Sequence, residues 1–493
     1  MARKLYVFGI GGTGSRVIKA LTMLFASGVK LNNDFDIVIP ILIDPDTSNG
    51  DLNRTKDILR LYQEIRIQVE QPNDFYSQEI KTINELSNKS SVINPDHFQF
   101  KLKDTDTNTF NQYIGFDSLS DEIKEKDDKN FVRLFYSEKN LNSNLDVGFK
   151  GNPNMGSIVL NQFTNSDDFT KFGQTFGDDD AIFIINSIFG GTGAAGFPLL
   201  LKNLRGNDNI PRHEKIREST IGGITYLPYF SLTKQDEINA ESFEEKAKIA
   251  IDYYNRTIIN QNKIDTLYFI GNRGNTNHEE YAVGGQEQKN KAHFVELAGA
   301  LAILDFCKNA NGRNNKTRIK EFGIETNTEN ISFADLNIKD AKRLSTPLTK
   351  FKLYTEYLQK GLRKALNTSR WTKSNIKLVG KNKQSLLDKI YFNSVEYKTQ
   401  IQPFNNYFDE WLNEMKENRP VFSPFEEITA DNALELVKGH TPQGGKSFYS
   451  IDVENCKLTD KVSIRSTEKK HTMLVKMFGK STEKVLSKKN LLI

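Results

Sequence analysis

The sequence predicts an α/β protein built on a parallel sheet with helices on its faces, and three features predict it. Two glycine-rich loops each follow an apolar strand and open an apolar helix: residues 5–15 read LYVFGIGGTGS and residues 181–196 read AIFIINSIFGGTGAAG. An apolar strand at Ile37–Ile43 ends in Asp44-Pro45-Asp46, which puts carboxylates at the carboxyl end of a strand, where open α/β sheets hold their ligands. Residues 293–307 are apolar around almost the whole helical circumference, so as a helix they must be buried on nearly every side.

Length and composition narrow the class further. A chain of 493 residues exceeds what one hydrophobic core usually serves, so two or three structural units are expected. Its 67 Lys and Arg against 63 Asp and Glu leave a charge of only +4, which argues against nucleic-acid binding and against a strongly membrane-attracted surface. Two cysteines, Cys307 and Cys456, are too few for a disulfide framework and suit a reducing cytoplasm. Met1-Ala-Arg-Lys runs into a strand and glycines where a signal peptide would need its apolar segment. No stretch approaches the ~20 apolar residues of a membrane span.

Taken in order, residues 5–8 are a short strand, and Val17, Ile18, Leu21, Leu24 and Phe25 fall at helical spacing before the strand Ile37–Ile43. This is a βαβ unit. Gly9-x-Gly11-x-x-Gly14 with Asp44 further on also fits a dinucleotide-binding fingerprint, but that reading leaves the second glycine loop unexplained. Residues 49–140 are polar, with one amphipathic stretch at 58–67, and read as a peripheral insertion. A third loop, Gly148-Phe-Lys-Gly151-Asn152-Pro153-Asn154-Met155-Gly156, precedes a helix-like run at 158–163; by itself it is ordinary turn chemistry.

The order of these segments, Gly-Ile-Gly-Gly-Thr-Gly-Ser, strand-Asp-Pro-Asp, Gly-Asn-Pro-x-x-Gly and Phe-Gly-Gly-Thr-Gly-Ala-Ala-Gly, resembles the tubulin/FtsZ superfamily, closest in flavour to divergent bacterial tubulin-like proteins. The resemblance implies a GTPase domain with a parallel sheet over about 1–285, a buried central helix at about 286–310, and a smaller α+β domain over 311–493 ending in a basic tail. It implies that Gly11, Gly12, Thr13, Gly14 and Ser15 hold the α- and β-phosphates of GTP or GDP together with Gly190, Gly191, Thr192, Gly193 and Ala194. Gly151 and Asn152 would close over the γ-phosphate, and Asp46 with Asp44 would hold a hydrated Mg²⁺.

Further along, 224–230 and 264–270 match the next strands, the second closing the sheet, and Glu244 and Lys248 match positions that line the ribose. His293, at the start of the central helix, and Asn290 are candidates to read the guanine edge; a satisfied structural histidine is the alternative. The segment Asn330-Ile-Ser332-Phe-Ala-Asp335 resembles the catalytic loop that a longitudinal neighbour inserts against the γ-phosphate, with Asp335 orienting the attacking water.

This chain departs from the pattern in three places: Ser332 stands at the first acidic position, about twenty polar residues separate Cys307 from the motif, and Phe189 replaces the usual glycine before Gly190. Helical stripes at 354–365 and 404–415 make helices more prominent than the family's second domain would have them. Six histidines show no ligand spacing, and no nucleophile elbow or Cys-His constellation occurs.

The expected function is GTP binding with slow, assembly-coupled hydrolysis and head-to-tail self-association into cytoplasmic filaments, since a heterologous contact that does not close makes open fibres. A non-polymerising adaptor that engages partners through 49–140 or the carboxyl-terminal region is the alternative. A NAD-dependent oxidoreductase ranks below both, because no nicotinamide-facing residues can be named.

Overall fold

The structure, a computed structural model, describes every residue except 1, 33–34, 89–91, 121, 150, 230, 233–241, 272–277, 280–284, 322–329, 374–386, 462–468 and 492–493. Its amino-terminal part runs β1 (Lys4–Ile10), α1 (Gly11–Ala26), β2 (Ile37–Ile43), α2 (Gly50–Gln68), β3 (Glu79–Ile80), α3 (Pro153–Val159), β4 (Ala181–Ser187), α4 (Gly191–Gly206), β5 (Thr220–Tyr226), α5 (Ser242–Tyr254), β6 (Thr266–Ile270), α6 (Phe294–Asn309) and β7 (Arg318–Glu321), with shorter helices between.

The seven strands form one parallel sheet in the order β3-β2-β1-β4-β5-β6-β7. Every residue of β1, β2, β4 and β5 is buried, as expected of strands covered by helices on both faces. β1 pairs with β2 on one side and β4 on the other, so the direction of winding reverses between β1 and β4. Loops leaving the carboxyl ends of these two strands therefore open into the crevice of a topological switch point.

Two expectations about this part change. β6 does not close the sheet, because β7 pairs alongside it and makes the edge. The stretch from 49 is not peripheral at its start: α2 packs on α1 and buries Leu52, Ile58, Leu59, Leu61, Tyr62 and Ile65. Those residues recur at helical spacing, a stripe that the polar composition of the surrounding segment hides. β3 then adds a strand to the main sheet, so the outlying part of the segment begins only after it.

α6 is the buried central helix. Its residues from Phe294 to Leu304 are all buried, and the helix packs against α1, β5 and β6.

The carboxyl-terminal part consists of α7 (Ile338–Glu356), α8 (Gln402–Glu417), α9 (Tyr449–Lys461) and α10 (Lys470–Lys488), with shorter helical turns. Among its described residues strand pairing is limited to a two-residue parallel contact of β8 (Asn330–Ile331) with β9 (Val421–Phe422) and an isolated antiparallel bridge between Phe425 and Val437. The part is mostly helical with these small β contacts, as the stripes at 354–365 and 404–415 favour. The basic end is not a free tail either. α10 turns Leu474, Val475, Phe478, Val485 and Leu486 into the core against α7 and α9, leaving Lys480, Lys484 and Lys488 exposed.

Candidate functional site

The first glycine loop is shaped by close approach and by one left-handed residue. A Cβ on Gly14 would lie 2.4 Å from the carbonyl carbon of Gly9, so the end of β1 and the first turn of α1 touch backbone to backbone. Gly11 has φ +73°, a conformation that side chains with a Cβ rarely adopt.

From Gly11 the first loop meets the second. A Cβ there would be 3.6 Å from Cβ of Thr192 and 3.8 Å from the Gly193 nitrogen. The second loop in turn meets the third, since a Cβ on Gly191 would sit 3.1 Å from the Gly151 nitrogen and 3.2 Å from the Asn152 nitrogen. Three glycine-bearing segments far apart in sequence thus converge beside the carboxyl ends of β1 and β4.

What they offer chemically is a concentration of backbone N–H groups. α1 and α4 both start here, preceded by Ile10 and Gly190, and neither helix has a side-chain cap or an acidic residue in its first turn. Their first N–H groups and the positive ends of two helix dipoles point into one place, an arrangement suited to a polyanion. Gly12, Gly151, Asn152, Gly190, Thr192 and Ala194 are half-buried and form the solvent-facing rim, while Gly11, Thr13, Gly14, Ser15, Gly191 and Gly193 lie beneath. The Ser15 hydroxyl is turned inward and donates to the Gly11 carbonyl at 3.3 Å. Phe189, the departure from glycine, is buried under the second loop with its ring 6.0 Å from that of Tyr229.

The acidic strand end lies next to this crevice, and its two carboxylates are not equivalent. Both oxygens of Asp46 are engaged: Oδ1 accepts from the Ser48 nitrogen (3.1 Å) and hydroxyl (2.8 Å), and Oδ2 accepts from the Gly285 nitrogen (2.7 Å). Asp44 accepts from the Asp46 nitrogen at 3.2 Å. Burial, with repulsion from Asp46 and Asp51, pushes its carboxyl up to about 8. A cation beside Asp44 would favour its ionised form. Among the described residues no cluster of three or more His, Cys, Asp or Glu is grouped to hold a metal; a hydrated Mg²⁺ on a nucleotide needs only one or two carboxylates.

Behind the first loop lies a buried ionic network that the motif reading missed. Arg16, in α1, is 3% exposed, and NH1 of its guanidinium is 3.7 Å from where a Cβ on Gly12 would stand. It donates to Glu296 of α6, to Asp51 of α2 (3.0 Å) and to the Tyr229 hydroxyl. Asp51 also pairs with Arg54 (3.2 Å), and Arg54 and Lys19 both reach Glu414 of α8. Three cations and three carboxylates balance, as buried charges must. The signal was present in the sequence as Arg16 and Lys19 inside an apolar helix and Glu296 inside an otherwise apolar one.

His293 and Asn290, the residues expected to read a base, both make contacts within this framework. His293 caps α6: its Nδ1 accepts from the Val295 nitrogen at 3.2 Å, while Glu296 accepts from the His293 nitrogen at 3.0 Å. The ring is 1% exposed, stacks edge-on with Tyr229 at 5.1 Å and is hydrogen-bonded to the Arg419 backbone. Burial pushes the imidazole down to about 4, so it is neutral at pH 7. Asn290 likewise donates to Asp51 through its backbone (3.2 Å) and side-chain (3.0 Å) nitrogens. Of the two ribose candidates, Lys248 is exposed on α5, and the Glu244 side chain lies outside the described residues.

The catalytic-type loop closes on itself. Asp335 Oδ2 accepts from the Ser332 nitrogen (2.8 Å) and hydroxyl (2.7 Å), forming a capping box around a single helical turn. Phe333 anchors that turn against Phe422 and Phe425, and Asn330 is exposed on β8. Ser332, the departure at the first acidic position, is therefore the partner that holds Asp335. Asp335 remains half-buried rather than enclosed.

No family model and no curated protein matches this chain. Among solved structures the fold is similar to CetZ2 from Haloferax volcanii in a GTPγS-bound protofilament, with 12% identity, 62% of this chain and 58% of that one covered, and a TM-score of 0.29. It is also similar to CetZ1 from the same organism, a GDP-bound monomer (13% identity, 61% and 58% covered, TM-score 0.28), and to CetZ from Methanosaeta thermophila (15% identity, 62% and 51% covered, TM-score 0.22). The matched part spans less than two thirds of each of these chains. No helix among the described residues is long and apolar enough to cross a membrane.

Proposed function

We propose that this chain binds a guanine nucleotide through its phosphates at the junction of the three glycine loops, and that the bound nucleotide controls head-to-tail association of identical chains. The observation that carries the first half is the meeting of Gly11 with Thr192 and Gly193, and of Gly191 with Gly151 and Asn152, at the switch point of the sheet. A dinucleotide fold would account for the first loop alone. Two uncapped helix starts and a third loop at the rim provide donors for a longer polyphosphate. Mg²⁺, when bound, would offset phosphate charge, with Asp44 as its protein ligand. Guanine selectivity rests on the order of motifs in the sequence, because His293 and Asn290 are occupied elsewhere.

For hydrolysis, Asp335 would act on a neighbour's nucleotide through Oδ1, since both Ser332 contacts engage Oδ2. The adaptor reading gains from a separate observation: the helix Ile123–Phe135 exposes Phe131, Leu134 and Phe135 by 61%, 80% and 58%, an apolar ridge of the kind that partners cover.

Sedimentation of purified protein with GTP, GDP, ATP or no nucleotide separates the readings. Association requiring GTP supports the filament. Nucleotide binding without association supports the adaptor.

A further inference from the structure

The segment following α2 meets the helices of the carboxyl-terminal part around a set of buried polar atoms that no described residue satisfies. The hydroxyls of Tyr76, Tyr354 and Tyr391, Oδ1 of Asn405 and Nε2 of His471 have no hydrogen-bond partner among the described residues. None of the five residues is more than 3% exposed.

They belong to one neighbourhood. The Phe351 ring lies 5.7 Å from that of Tyr76 and 5.4 Å from that of Tyr354, and the Tyr391 ring lies 5.7 Å from His471. The Tyr354 hydroxyl lies within reach of the Asn405 side chain. Tyr354 and Tyr391 are close enough to Tyr76 to oppose its ionisation, and Tyr354 opposes that of Tyr391. Tyr76 is held there in a left-handed backbone conformation, φ 53°, that a bulky aromatic residue seldom adopts, with its nitrogen donating to the Ala26 carbonyl at 3.1 Å.

An unsatisfied buried hydroxyl costs about 1–3 kcal/mol, and native proteins leave few of them. Five buried polar atoms in one neighbourhood, three of them hydroxyls, call for a shared partner. The set contains groups that both donate and accept, and it carries no charge: burial raises the three phenols, and His471 is pushed down to about 4, hence neutral. An ion has no counter-charge there. A molecule that donates and accepts about three hydrogen bonds within a fully buried space is water.

We infer that Tyr76, Tyr354, Tyr391, Asn405 and His471 form a built internal hydration site, whose bound waters join the segment after α2 to α7, α8 and α10.

Replacing tyrosine by phenylalanine removes only the hydroxyl, and the sign of the result decides between a wet and a dry site. If water bridges the hydroxyls, Tyr354→Phe and Tyr76→Phe should each lower Tm by about 1–3 °C. The double variant should lose less than the sum, because both hydroxyls hold the same solvent. If either single variant is as stable as the parent or more stable, the hydroxyl faced a dry gap and the inference fails. Should a variant not fold, a crystal structure of the parent chain at a resolution that shows ordered solvent gives the answer. Solvent within hydrogen-bonding distance of at least two of the five atoms supports the site, and a bare cluster overturns it.

Discussion

Thr192→Asp is the substitution that best separates nucleotide binding from folding. Thr192 is half-buried at the rim, in the first turn of α4, where no acidic residue stands. A carboxylate there faces free N–H groups and a dipole end, which should stabilise the empty protein by about 0.3–1 kcal/mol. The same carboxylate would lie against any phosphate in the cradle, because the Thr192 Cβ is only 3.6 Å from the position of a Cβ on Gly11.

At a separation of about 5 Å and an effective dielectric of about 20, each pair of unit charges repels by roughly 3 kcal/mol, so affinity should fall at least ~100-fold. Gly193→Asp would not be as clean, since its Cβ would sit 2.8 Å from both the nitrogen and the carbonyl oxygen of Ser187 and disturb the fold. Titration with fluorescent GTP, beside a thermal melt, measures both effects. A stable Thr192→Asp protein that binds GTP as tightly as the parent refutes the phosphate assignment.

Other expectations follow from the surrounding groups. His293 and His471 are both held at about 4 against 6.5 in the unfolded chain, so the unfolded state binds more protons between those values. Their contribution to stability is complete above about pH 6.5 and is lost as pH falls toward 4; urea unfolding at pH 7 and pH 5 should show the loss, and His293→Asn should reduce it, whereas an unchanged pH slope would contradict the burial argument. Arg16→Met leaves the Asp51 and Glu296 carboxylates without their shared cation and should destabilise the fold by about 3–5 kcal/mol, with partial recovery when Glu296→Gln is added; a parental urea midpoint would show that the network is not a support. Asp335→Ala should leave GTP affinity intact and lower turnover at least ~tenfold if the residue acts on a neighbour's nucleotide, with parental turnover per molecule rising with protein concentration. A rate that ignores both concentration and the substitution would leave Asp335 as the cap of its own turn.

What could be read in the sequence was local. The glycine loops, the strand Ile37–Ile43 and the all-round apolar helix each announce themselves within about fifteen residues, and together they are enough to suggest a parallel α/β sheet. The site was harder to read because its finer groups are chosen by distant partners. Nothing near Asp46 in sequence indicates that Gly285 will take one of its oxygens, and nothing near Asn290 points to Asp51. His293 is instructive, because His293-x-x-Glu296 before an apolar run has the spacing of a capping box and could have been read as a cap. α2 was obscured by averaging over a polar segment, and the carboxyl-terminal helices by a resemblance that fades beyond the central helix.

Equilibrium binding of GTP, ATP and NAD to the purified chain, before and after Thr192→Asp, tests the central claim most directly. The account predicts that GTP binds, that removing its terminal phosphates weakens binding, and that the substitution abolishes it. Tight NAD binding with no GTP binding, or GTP binding untouched by a carboxylate at position 192, would contradict it.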